Sequence, residues 1–138
     1  MLLGLAAAAL AGVAQVARET ERELHVVATA HLDTQWLWTI QDTINRCLPN
    51  TLRGNFALFE RFPGYQFSFE GAFRYMLAAE YYPAEFARLQ EYVAAGRWHV
   101  CGSFVDACDT NVPAPEALLR QILYGNRYFQ RTFGRTSA

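Results

Sequence analysis

The sequence predicts an α/β fold in which parallel strands alternate with helices. Three observations carry that expectation. Short runs rich in β-branched and aromatic residues recur as HVVATA (25–30), YQFSFE (65–70) and RWHVCGSFV (97–105). The segments between them are long enough for crossovers and place apolar residues at helical spacing. The chain has 138 residues, of which 52% are hydrophobic and 14% aromatic, enough for the core of one domain and against disorder.

Each element has its own signal. HVVATA is short and apolar, as a buried strand would be. Residues 34–48 space Trp36, Ile40, Ile44 and Leu48 as a helix would, and Pro49 and Asn50 interrupt. A second helical pattern, TLRGNFALFERF, runs from 51 until Pro63 and Gly64 stop it. YQFSFE alternates polar and aromatic residues, a strand pattern. Residues 72–95 are helical and broken at Pro83, which suits the first position of a new helix ending on Gly96. RWHVCGSFV gives the third strand, and residues 106–115 a loop with two prolines. The last helix is EALLRQILYGNRYFQRTFG, terminated by Gly134. Strands of this order are parallel, and three parallel strands leave a sheet with open edges. The alternatives are an unusually small domain or part of a larger barrel or sheet.

Net charge is −1, and all twelve basic residues are arginine, so no electrostatic case exists for nucleic acid or an anionic membrane surface. Residues 1–17, MLLGLAAAALAGVAQVA, are short for a membrane span, which needs about 20 apolar residues. They fit the apolar region of a signal peptide, with Gly12 and Ala14 as small residues near a cleavage point. The basic start of such a peptide is missing, and an alanine-rich helix at the domain edge is the alternative. The expectation is an exported protein, periplasmic or secreted, with RETERE (18–23) as a solvated linker and no membrane partner after cleavage. Cys47, Cys101 and Cys108 match no metal spacing and are expected to be buried thiols.

In parallel α/β folds ligands bind at the carboxyl ends of the strands. His31 and Asp33 follow the first strand, Glu70 ends the second, and Asp106 and Asp109 follow the third. An imidazole and a carboxylate two residues apart offer a divalent ion two ligands from one turn, and such N and O donors suit zinc. Alternatively, Asp33 or Thr34 caps the next helix. Asp109 before Asn-Val-Pro also fits an ordinary loop. Trp36 and Trp38 would stack on a sugar face or pack in the core. Glu70 would pair with Arg74, one helical turn on.

Taken together, AHLDTQWLWT (30–39), FPGYQFSFEGAFRY (62–75) and GRWHVCGSFVDACDTNVPAPEALLRQILYGNRYFQRTFG (96–134) resemble glycoside hydrolase family 38, the class II α-mannosidases. The resemblance covers residues 25–138. It implies a seven-stranded α/β barrel, with 24–138 as the N-terminal, incomplete part of the catalytic domain. It implies one zinc ion held by His31, Asp33 and Asp109, with Asp109 also the nucleophile of a retaining α-mannosidase, and Trp36 under the sugar. Asp106 is the rival for Asp109, three residues earlier. The substrate implied is an α-mannoside oligosaccharide or glycan. The family's fourth metal ligand and general acid match no residue up to 138, so this chain alone is expected to be inactive. The competing readings are another metal-dependent carbohydrate hydrolase of the deacetylase kind, and a non-catalytic truncated product.

Overall fold

The computed structural model describes residues 22–137. The stretch 1–17 expected to be a signal peptide, and most of the expected linker 18–23, lie outside the described residues. The rest is an α/β unit with three parallel strands in the order β1-β2-β3. They are β1 (Ala28–Ala30), β2 (Phe67–Glu70) and β3 (Trp98–Cys101). The register pairs Ala28 with Phe67 and Ala30 with Phe69, then Phe67 with Trp98 and Glu70 with Cys101.

The first strand is shorter and more open than the sequence suggests. His25 to Val27 lie outside it, and Val26 and Val27 are 81% and 72% exposed. The reason is position. β1 is an edge strand, so its apolar start has no neighbour on one side.

The first helix also begins later than its periodicity predicts. Residues 34–38 form a non-helical turn, and α1 (Ile40–Asp42) is capped by Thr39. The Thr39 hydroxyl accepts from the Asp42 N–H, and the Asp42 carboxylate accepts the Thr39 N–H at 3.0 Å. That reciprocal capping box outcompetes Asp33 and Thr34 as the start. The Thr39 hydroxyl also donates to the Asp42 carboxylate at 2.7 Å, and this bond, then the one from the Thr39 N–H, holds the Asp42 carboxyl below its usual range.

Pro49 does not interrupt the helix. A wide π turn, Thr43–Cys47, leads straight into α2 (Leu48–Arg61), in which Pro49 occupies the first turn. In the wide turn the Leu48 N–H reaches back five residues to the Thr43 carbonyl. By the same offset Pro49, which has no N–H, leaves the Ile44 carbonyl unserved. The Tyr82 hydroxyl donates to it at 2.7 Å.

The remaining helices follow expectation. They are α3 (Ala72–Tyr81), α4 (Pro83–Ala94) and α5 (Pro115–Phe133). Gly134 closes α5 in the left-handed conformation, φ 69°.

The core sits on one face of the sheet. Phe67, Phe69, Trp98 and Val100 point to it, against Leu52, Phe56 and Phe59 of α2, Tyr75 of α3, Leu89 and Val93 of α4 and Phe129 of α5. Trp98 is fully buried, with ring centroids of Phe67 and Phe69 at 4.8 and 5.9 Å. Side chains of this size stabilise by about 1.5–3 kcal/mol each when fully buried. The opposite face is polar and half-exposed. It carries Ser68 and Glu70 of β2 and His99 and Cys101 of β3. This alternation was visible in YQFSFE, and among the described residues helices cover one face of the parallel sheet.

Candidate active site

The strand register builds the site. Ala30 stands beside Phe69 on the core face, so the next pair, His31 and Glu70, falls on the polar face at the carboxyl end. There His31 Nδ1 lies 3.2 Å from Glu70 Oε1. Its Nε2 lies 3.2 Å from Asp33 Oδ1, across the turn that leaves β1. The imidazole is thus held between two carboxylates. Glu70 does not pair with Arg74, as the local spacing suggested, because β2 ends before α3 begins and Glu70 faces β1. Cys101 stands next in this row, beside Glu70. Burial, then the charge of Glu70, pushes its thiol above the ordinary range, which keeps it protonated. All three cysteines are free, and each is half-buried rather than fully buried.

Arg74 has a different task. It is 1% exposed, and its Nε donates to the Leu32 carbonyl in the turn after β1. Its Nη1 forms an ion pair with Asp106, 3.1 Å from Oδ1, and both Nη1 and Nη2 are buried with no hydrogen-bond partner. Arg74 therefore ties the turn after β1 to the loop after β3. Gly71 makes room for it, since a Cβ there would stand 2.0 Å from Arg74 Nη1. Asp106 is further engaged by the Thr34 hydroxyl at 2.6 Å and by the Ala107 N–H at 2.8 Å.

Asp109 lies apart from this network. It is exposed, and its Oδ1 accepts the Asn111 N–H at 2.8 Å within its own loop. The structure brings His31 and Asp33 together and records no contact from Asp109 to either. Trp36 is 71% exposed, so it is no core residue. It meets Trp38 edge to face at 6.2 Å, and Trp38 is fixed by its Nε1–H to the Thr43 hydroxyl at 2.8 Å. A cleft of about 290 Å³ opens between the two loops, lined by Asp33, Thr34, Gln35, Arg74 and Asp106 among others. That is the low end of the range for small-molecule sites, roughly 300–1,000 Å³.

The donor set can be tested against zinc. Bonds of about 2.0–2.2 Å at a tetrahedral angle put two ligand atoms about 3.4 Å apart. The His31 and Asp33 atoms, 3.2 Å apart, fit. Among the described residues, no group of three or more His, Cys, Asp or Glu stands close enough to hold a metal ion. The pair is in place, and a third ligand is not gathered to it. Glu70 and Asp106 were placed at the strand ends from sequence, but their partners, His31 for Glu70 and Arg74 for Asp106, were not foreseen. The signal for Glu70 was available in the parity of the two strands, but only with the register known.

The sequence model of the glycosyl hydrolases family 38 N-terminal domain matches residues 21–138. This chain belongs to glycosyl hydrolase family 38. Its relatives agree. Alpha-mannosidase 2C1 of Homo sapiens is 30% identical over 117 residues, which are 85% of this chain and 11% of that protein. Alpha-mannosidase G of Dictyostelium discoideum is 29% identical with the same coverage. An alpha-mannosidase of Saccharomyces cerevisiae is 30% identical over 115 residues, 78% of this chain and 10% of its own length. The chain thus spans about a tenth of the length of these alpha-mannosidases.

Proposed function

We propose that this chain carries the nucleophile and most of the metal ligands of a retaining α-mannosidase acting on α-mannoside oligosaccharides or glycans. Its three strands would be part of a seven-stranded α/β barrel. The open β1 edge and the uncovered face bearing Ser68, Glu70, His99 and Cys101 support that, since parallel sheets are ordinarily covered on both faces and paired at their edges. The observation that carries the functional reading is the His31–Asp33 pair, at ligand spacing, on the carboxyl end of a parallel sheet in a family 38 chain.

In this reading His31, Asp33 and Asp109 would hold one zinc ion, which would supply Lewis-acid binding of sugar hydroxyls and so favour ring distortion. An Asp109 carboxylate oxygen attacks the anomeric carbon, and the bond from that carbon to the leaving oxygen breaks. A carboxylic acid protonates the leaving oxygen, then as base takes a proton from the water that hydrolyses the glycosyl-enzyme ester. No residue of this chain is assigned as that acid, so the 138 residues alone are expected to be inactive. The preference for Asp109 over Asp106 has a physical basis. Asp106 is committed to Arg74, Thr34 and its own loop, whereas Asp109 is exposed with one local hydrogen bond. Trp36, exposed and braced by Trp38, offers a face for the apolar side of the sugar. Export, with residues 1–17 removed, completes the proposal.

The test is hydrolysis of an aryl α-mannoside by the full-length protein, with the first-formed anomer read by NMR. The expected product is α-mannose, lost on chelation and restored by zinc. Asp109→Asn should lower turnover about a thousandfold or more. First formation of the β-anomer, or release of acetate from an acetylated sugar instead, would replace this reading.

A further inference from the structure

We propose that Glu70 is the positioning residue of the metal site, accepting a hydrogen bond from His31 Nδ1–H so that Nε2 presents its lone pair beside Asp33. The inference rests on the metal reading above and adds a residue to it. His31 follows a three-residue edge strand and its side chain is 69% exposed, so apart from Asp33, 3.2 Å from Nε2 on the other side of the ring, Glu70 is what fixes it. Glu70 is well placed to do so. It ends the central strand, paired in register with Cys101 of β3, and its Oε1 reaches His31 Nδ1 at 3.2 Å. Gly102 leaves the space it needs, because a Cβ at Gly102 would stand 3.1 Å from the Glu70 Cβ.

The chemistry follows from the two faces of the ring. A neutral imidazole has one N–H and one lone pair. With the proton on Nδ1 toward Glu70, the lone pair is on Nε2 toward Asp33, where a metal would sit. With the proton on Nε2, the lone pair faces Glu70 and the ligand is wrongly presented. A carboxylate behind a ligating histidine fixes the tautomer and raises the ring's basicity.

Two readouts test this. The first is the tautomer of His31 in the metal-free chain, from ¹⁵N NMR at a pH where the imidazole is neutral. The parent should show the Nδ1–H form, Glu70→Ala should shift it toward Nε2–H, and Glu70→Gln, which keeps an acceptor oxygen, should restore much of it. The second is zinc affinity, with His31→Ala as the control. Glu70→Ala should weaken binding about 10–100-fold and Glu70→Gln less, with an amide spectrum showing that each variant folds. A parent in the Nε2–H form, or a tautomer and affinity untouched by Glu70→Ala while His31→Ala abolishes binding, overturns the role of Glu70. Zinc affinity unchanged by His31→Ala, or no binding by the folded parent, overturns the metal reading instead, and the tautomer still decides whether Glu70 orients the ring.

Discussion

Buried polar side chains decide more here than their number suggests. The Tyr75 hydroxyl is enclosed between sheet and helix, donates to the Phe69 carbonyl at 2.7 Å and accepts from Trp98 Nε1 at 3.0 Å. Burial pushes its ionisation well above the ordinary tyrosine value. The sign follows from linkage. Below about pH 10 both folded and unfolded chains keep this proton. Above it the unfolded chain loses the proton first, so the folded state binds more protons and stability falls as pH rises. Tyr75→Phe should cost about 1–3 kcal/mol at neutral pH, by leaving the Trp98 N–H unpaired, yet make the alkaline loss less steep. Urea titrations across the alkaline range check both, and parallel slopes for parent and variant would contradict the assignment. At this scale the sequence was partly legible. His31, Asp33 and Asp109 stand out by residue type and by their place at strand ends. Which groups pair with which does not stand out, because His31 meets Glu70 across 39 residues and Arg74 meets Asp106 across 32, distances that only the fold can close.

Helices and turns were legible wherever a local stereochemical rule set the boundary. Pro83 opens α4, and Gly96 and Gly134 close α4 and α5 with positive φ, as proline and glycine dictate. The rule misled where a longer contact supplied the missing group, as Tyr82 does for the carbonyl that Pro49 leaves open. Periodicity misled between 34 and 38, where Trp36 fits a helical stripe but belongs to an exposed turn ahead of the Thr39 cap. The junction of β2 and α3 gives a sharp prediction. Gly71 has φ +79°, and any Cβ would collide with the guanidinium that binds the two loops together. Gly71→Ala should destabilise by about 1–3 kcal/mol from backbone strain alone, with more lost as Arg74 is displaced. Gly64→Ala, where a Cβ meets nothing within 4 Å, is the control. Thermal melts of the two variants would contradict this account if Gly71→Ala matched the control.

At the scale of the whole, the described residues form a sheet with one finished face. Helices cover Phe67, Phe69, Trp98 and Val100, while the other face and the β1 edge stay open, and α5 leaves Leu119, Ile122 and Leu123 exposed. The α/β class and the parallel order were readable from the alternation of patterns. The depth at which each strand is buried was not, since that depends on which strands are neighbours. In the account proposed, the carboxyl end of this sheet carries a zinc site whose third ligand, Asp109 in the loop after β3, is also the nucleophile. The most direct measurement of that claim is zinc affinity, by competition with a chromogenic chelator, for the chain and its Asp109→Asn and Asp106→Asn variants. The account predicts that the chain binds zinc, that Asp109→Asn weakens binding by about tenfold or more, the scale of a lost ligand contribution of roughly 1.4 kcal/mol, and that Asp106→Asn has the smaller effect. Binding abolished by Asp106→Asn alone in a folded variant, or a folded parent that ignores zinc, would contradict it.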